Sequence, residues 1–147
     1  MIIIIAASTL TAQAAFNGIG LDIIRLVDKN QDNGMANVHG QIGLTSDTAL
    51  ALGYASGDNL LILECGIKYY FSSYFDGVFL QFGLGYYDHD QNGDDFGFVT
   101  ALGYEQPLNN FLAVSWAIKM TAEVDAEIIG YPETPVFQPA MSVMFTF

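Results

Sequence analysis

Six charged side chains interrupt segments that are otherwise apolar or small, and these are the residues whose spacing could do chemistry. They are Asp22, Arg25, Glu64, Lys68, Glu105 and Lys119. Alternate residues of an extended strand point to the same side, so Glu64 and Lys68 share a face. An unpaired ion in apolar surroundings costs several kcal/mol, so we expect the six to form one network inside the molecule.

Other polar residues that fall on the same faces would complete this network. They are His39, Gln41, Tyr70 and Gln81. Such a network can plug the interior of the molecule, or it can line a conducting or gated pore. We take the plug as the main hypothesis and a small porin-like channel as its alternative.

Catalysis by covalent attack would need a nucleophile and a base held close together. The two histidines are His39 and His89, and neither has a serine at adjacent same-face spacing. We therefore predict no enzymatic activity and no cofactor. A lipid-modifying membrane enzyme is the least favoured alternative, because catalytic partners can be remote in sequence. The net charge of −12 disfavours a nucleic-acid partner.

One acidic segment offers a candidate weak divalent-cation loop at Asp88, Asp90, Asn92 and Asp94. Alternate oxygens before a glycine suit calcium, but the twelfth position counted from Asp88 is Val99, where a calcium loop has a bidentate glutamate. A solvated hairpin turn is the main interpretation, and the metal site is a secondary hypothesis.

The elements that carry these residues alternate large apolar side chains with small or polar ones. Turn-forming residues separate such segments, as is typical of consecutive antiparallel strands. The clearest is the last, where Met141, Val143, Phe145 and Phe147 share one face. The alternation slips near 22–24, which predicts a bulge there. We predict eight strands, approximately at 17–27, 35–45, 48–56, 59–71, 77–88, 95–105, 110–122 and 138–147.

The large residues must point outward if these strands close into a barrel. The interior of an eight-stranded barrel is too narrow for several bulky side chains from every strand. An outer surface of glycine, alanine and serine with few charges would also be unlike that of a soluble protein. The pattern instead fits a barrel whose large residues face lipid. We predict an all-β fold, an eight-stranded antiparallel up-and-down transmembrane β-barrel.

The start of the chain differs from the rest. Residues Ile2 to Ile5 form an apolar core, and Ala12-Gln13-Ala14 is a small-residue cleavage pattern. We predict a signal peptide at 1–14 and the barrel domain at 15–147. The single cysteine, Cys65, allows no internal disulfide, so the hydrogen-bond ladder must hold the barrel together.

The acids sort to one end of the predicted barrel. With the N-terminus on the periplasmic side, the connections after odd strands lie outside the cell and carry eleven of the sixteen acids. The longest of these, 123–137, is the predicted recognition surface for an extracellular ligand. Membrane lipids and lipopolysaccharide are the other expected partners. A divalent ion that bridges an acidic loop to lipopolysaccharide phosphates belongs to the secondary metal-site hypothesis. We expect a monomer.

Taken together, the alternating strands, short inner turns, longer outer loops, charged lumen and terminal Phe147 resemble the small eight-stranded outer-membrane barrels of Gram-negative bacteria, the OmpA-like and OmpX-like proteins. The resemblance covers the chain from residue 15 onward and lies in architecture rather than in a motif. It implies an integral outer-membrane protein whose loops serve surface or envelope interaction.

Overall fold

The computed structural model describes residues 17–147. The signal peptide predicted at 1–14 lies outside the described residues. Eight strands and one short helix make up the fold. They are β1 (Asn17–Asp22), α1 (Ile23–Val27), β2 (Ala36–Gly43), β3 (Thr48–Ser56), β4 (Leu60–Tyr70), β5 (Gly77–His89), β6 (Gly93–Asn109), β7 (Leu112–Ala122) and β8 (Val136–Thr146).

The strands form a closed antiparallel barrel in which each pairs with the next along the chain and β1 pairs with β8. This confirms the predicted all-β, eight-stranded up-and-down fold. The connections β1–β2, β3–β4, β5–β6 and β7–β8 lie together at one end, called here the loop end. The start of β1, the end of β8 and the other three connections lie at the opposite end, called here the terminal end.

Two faces run the length of every strand, as the alternation predicts. Large apolar side chains point outward around the whole barrel, and Phe82, Leu102 and Phe145 are each more than half exposed. Small and polar residues point inward. Inward glycines make room for the few internal aromatic rings: a Cβ on Gly103 would lie 2.5 Å from the Phe79 ring. The interior is therefore filled although only some of the strands contribute large side chains to it.

The first strand differs from its prediction. The strand predicted over 17–27 is present only as far as Asp22, and the bulge predicted near 22–24 is wrong: a short helix, α1, replaces the second half of the predicted strand. The Asp22 carboxylate accepts hydrogen bonds from the backbone N–H groups of Ile24 (3.0 Å) and Arg25 (3.2 Å). This is the N-cap arrangement that starts a helix. Among residues 17–147, no helix is long and apolar enough to cross a membrane.

The other strand ends depart from their predicted positions by only a few residues. The largest departure is β6, which runs from Gly93 to Asn109 and shifts register between Pro107 and Asn109. Proline lacks the N–H that a regular ladder requires, which suits an irregular strand end.

Candidate functional site in the barrel interior

The charged residues inside the barrel form two clusters at different depths. The cluster nearer the terminal end centres on Glu105, which is fully buried. Its carboxylate accepts hydrogen bonds from Lys68 Nζ (2.5 Å), Tyr70 Oη (2.6 Å) and Gln41 Nε2 (3.2 Å). Lys68 Nζ also lies 3.8 Å from the centre of the Phe79 ring, a cation–π contact. Strands β2, β4 and β6 thus meet across the lumen through one carboxylate.

The second cluster lies nearer the loop end and centres on Glu64. Its Oε1 accepts a hydrogen bond from Arg25 Nη2 (3.2 Å) and a short one from Lys119 Nζ. Arg25 comes from α1, so the helix carries one cation into the lumen. Asp22 lies at the same end, but its carboxylate binds backbone N–H groups as the cap of α1. Its contribution is to position Arg25.

A cavity of about 100 Å³ is lined by residues of both clusters. That volume is enough for about three water molecules at ~30 Å³ each. His39 and Gln81 line the cavity together with Ser115 and Ser142. Within residues 17–147, no hydrogen bond joins the His39 imidazole to the hydroxyl of Ser115 or Ser142.

The connection between β7 and β8 packs against luminal side chains at the loop end. Val124, Ile128 and Ile129 are each at most 4 % exposed. They pack in one cluster with luminal side chains that include Ile62, Tyr87 and Val99. The segment predicted as a recognition surface, 123–137, therefore turns its apolar residues into the barrel mouth. Its acids, Glu123, Asp125, Glu127 and Glu133, stay on the outside.

At the terminal end, the connection between β4 and β5 packs its aromatic rings into the lumen. Tyr74 and Phe75 stack with ring centroids 4.2 Å apart, and Phe75 is buried against Ala113 and Met144. Phe75 has a φ of 65°, an uncommon backbone conformation for a bulky residue. The packing of its ring inside the barrel holds it there. Apolar side chains of one connection therefore pack into the lumen at each end of the barrel.

A polar latch joins two connections at the loop end. The Asp32 carboxylate accepts hydrogen bonds from the backbone N–H groups of Asn59 (2.8 Å) and Leu60 (3.0 Å) and from Asn59 Nδ2 (3.2 Å). Desolvation alone would raise the pKa of Asp32. These hydrogen bonds and nearby His89 outweigh it and hold the pKa below its usual value. The latch ties the β1–β2 connection to the start of β4.

Acidification should release this latch. Because the pKa of Asp32 is lowered by folding, its stabilising contribution is present above the ordinary carboxyl pKa of about 3.9 and is lost as the pH falls through the lower folded value. We expect the amide proton shifts of Asn59 and Leu60, measured by NMR in detergent micelles, to move in that acidic range. These chemical shifts should not change with pH in Asp32→Asn, and an identical titration in that variant would contradict the assignment to Asp32.

The net charge of the chain lies almost entirely outside the lumen. The three luminal acids and three luminal cations cancel, so the thirteen other acids and Lys29 account for the −12. Eleven of those acids belong to the loop end, which carries a strong negative field. The terminal end has only Asp47 and Asp76.

The residues of the predicted divalent-cation loop sit at the hairpin between β5 and β6. All four are exposed. Asp88 and Asp94 are opposite each other in the ladder, and Asn92 Nδ2 donates to the backbone oxygen of Glu127 (2.9 Å). No group of three or more histidine, cysteine or acidic side chains in the described part of the chain is arranged to hold a metal ion. The cation loop stays a prediction.

The sequence reasoning missed the helix α1, the Asp32 latch and the inward packing of 124–129. A signal for the last was present, since Val124, Ile128 and Ile129 are apolar residues at helix-like spacing within an acidic loop. The signal for α1 was Asp22 before a short run without alternation, which is a capping pattern as well as a bulge pattern.

Comparison with known proteins supports the fold and little beyond it. No protein-family model matches the chain, and no curated protein matches its sequence. Among solved structures, the chain is similar to the N-terminal β-barrel domain of Pseudomonas aeruginosa OprF, with a TM-score of 0.63 and 12% sequence identity. The match covers 90% of this chain and 98% of that domain. The chain therefore has the closed eight-stranded barrel fold of that domain.

Proposed function

We propose that the chain is an integral, non-catalytic β-barrel of the bacterial outer membrane with a plugged lumen. The main observation behind the proposal is that the outer wall exposes large apolar side chains. Trp116, Leu84 and Phe98 are 45 %, 54 % and 56 % exposed, and similar large apolar residues surround the whole barrel. Such a continuous apolar surface far exceeds the patches that soluble monomers expose. Lipid is the environment that suits it.

The interior supports the same proposal. A barrel in lipid must satisfy its backbone internally, and the closed ladder does so over most of the wall. The six luminal charges are bound to one another or to backbone N–H groups rather than presented to a substrate. The similarity to the OprF barrel domain adds support at the level of fold.

Gel mobility tests the proposal. A folded outer-membrane barrel keeps its shape in detergent until it is boiled, so the unboiled and boiled protein should run at different positions. A protein that is monodisperse in buffer without detergent would contradict the membrane assignment.

A small channel is the second candidate, favoured by the cavity that residues of both clusters line. The apolar side chains that pack into the lumen at each end weigh against it, because a conducting path needs continuous water. We expect no single-channel events from the protein in planar bilayers. Regular conductance steps would contradict the plugged lumen and support the channel.

The acidic loop end is proposed to face outward, where it would contact the phosphates of lipopolysaccharide through bridging divalent cations. The support is the concentration of eleven acids at one end of the barrel. Calorimetric titration with calcium tests it. Heat beyond that of ionic screening is expected, and the absence of such heat would contradict the proposal of bridging ions.

A further inference from the structure

The barrel wall is incomplete on one side of the loop end. β1 pairs with β8 only from Gly18–Thr146 to Asp22–Ser142, although β8 continues to Val136 and pairs with β7 along that stretch. On its other side, residues 136–141 of β8 have no strand partner among the described residues. Helix α1 stands in the place where the second half of β1 would be.

The edge of β8 is suited to this gap. The backbone N–H of Met141 points toward β1 and, within residues 17–147, donates a hydrogen bond to the Asp22 carboxylate, at 3.4 Å. Alternate residues of a strand direct their backbone groups to the same neighbour, so the nitrogen of Pro139 faces the gap as well. Proline has no N–H and is found where a strand edge is unpaired. At the gap, one backbone N–H fewer therefore needs a hydrogen-bond acceptor.

Helix α1 covers the gap with an exposed outer side and with one side chain that enters the lumen. Val27 is 68 % exposed, whereas the Arg25 side chain is 11 % exposed and is paired with Glu64. The backbone of α1 is anchored by the Asp22 cap and by a hydrogen bond from Met35 N–H to the Arg25 oxygen (2.9 Å). Moving α1 outward would break no strand-to-strand hydrogen bond, but it would separate the Arg25 guanidinium from the Glu64 carboxylate.

A narrow crevice runs between α1 and β8 toward the lumen. Gln138, Pro139 and Ala140 line it on one side, and Arg25 and Lys119 lie at its inner end. Ala140 and both cations also line the central cavity. The crevice thus adjoins the central cavity. Its volume of about 10 Å³ is that of about one water molecule, so a larger group can enter only when α1 moves. Its charged lining consists of Asp22, Asp28, Arg25 and Lys119, whose charges cancel.

We propose that this seam, formed by α1 and residues 136–141 of β8, is a lateral entrance through which an amphiphile in the lipid layer places its polar group in the central cavity. The inference rests on the proposed membrane location. The balanced lining selects a neutral or zwitterionic headgroup, because a net charge would stay uncompensated at this depth. The cavity of about 100 Å³ limits the headgroup to a small one.

Cysteine labelling from the lipid phase tests the entrance. In a Cys65→Ala background, Ala140→Cys places a thiol at the seam and Ala51→Cys places one on the opposite wall of the same cavity. Ala51 is the matched control because β3 is paired on both sides. With a neutral alkyl maleimide dissolved in phosphatidylcholine vesicles, we expect Ala140→Cys to react several-fold faster than Ala51→Cys. Equal rates would overturn the entrance.

The single tryptophan separates this test from the membrane proposal. Trp116 is 45 % exposed on the outer wall, so lipid brominated on its acyl chains should quench its fluorescence. If it does not, the membrane location fails. If it does and the two luminal sites react alike, only the entrance fails.

Two further arms complete the design. Should Ala140→Cys not fold, as judged by gel mobility, Gln138→Cys samples the same crevice and must also react faster than Ala51→Cys. An alkyl maleimide carrying a sulfonate is expected to react more slowly at the seam than the neutral one. Equal rates for the two reagents would overturn the selection of headgroup charge.

Discussion

Glu105→Leu is expected to lower the free energy of unfolding by about 3–5 kcal/mol, the usual effect of removing one partner of a buried ion pair. The substitution leaves the Lys68 ammonium, which is 5 % exposed, without its counter-ion. It also removes the acceptor for Tyr70 and Gln41. Urea unfolding in vesicles, followed by the fluorescence of Trp116, the single tryptophan, measures the loss.

Two controls separate the ion pair from ordinary side-chain loss. Lys68→Met combined with Glu105→Leu removes both charges and should recover most of the stability, since buried pairs are often replaceable by apolar residues. Glu123→Leu changes an exposed acid and should have little effect. If Glu105→Leu is as mild as Glu123→Leu, the lumen is open to water at that depth and the plug is wrong.

Leu84→Arg is expected to cost about 2–4 kcal/mol, the effect of an arginine facing lipid near the middle of the bilayer. Leu84 lies on the outer wall near the middle of β5 and is 54 % exposed. In water, an arginine at so exposed a position would be tolerated. The loss would appear as a lower urea midpoint for the protein in vesicles.

Position along the barrel supplies the control for this substitution. Phe71 is 63 % exposed but follows the last residue of β4, at the terminal end. Phe71→Arg should cost only about 0–1 kcal/mol, because arginine near the interface reaches polar headgroups. Equal, small costs at both positions would mean that the outer wall is not in lipid.

The sequence was sufficient to predict the strands and their faces, because side-chain alternation has a period of two and a single register satisfies it along each strand. Thr48–Ser56 matches its predicted bounds for this reason. It could not predict which luminal charges pair. Glu64 and Glu105 fall on inward faces alike, but their depths across the barrel decide that Lys119 meets the first and Lys68 the second.

The connections were predicted less well because strand alternation does not apply to them. Val124, Ile128 and Ile129 pack inward because the barrel mouth offers an apolar pocket formed by residues distant in sequence. The helix α1 depends on a local competition: Asp22 can continue the ladder or cap a helix, and Asn37, which accepts a hydrogen bond from the Asp22 N–H, accompanies the second outcome (2.7 Å). The residues of the apolar pocket are distant in sequence from 124–129, and Asn37 is distant from Asp22.

The central claim is that the ring of large side chains faces lipid, and quenching of Trp116 tests it most directly. The indole lies on the outer wall, 45 % exposed, opposite Tyr104 and Met141 in the ladder. In vesicles of phosphatidylcholine brominated on its acyl chains, we expect strong quenching of Trp116 and little quenching by aqueous acrylamide. Strong quenching by acrylamide with none by the brominated lipid would contradict the claim.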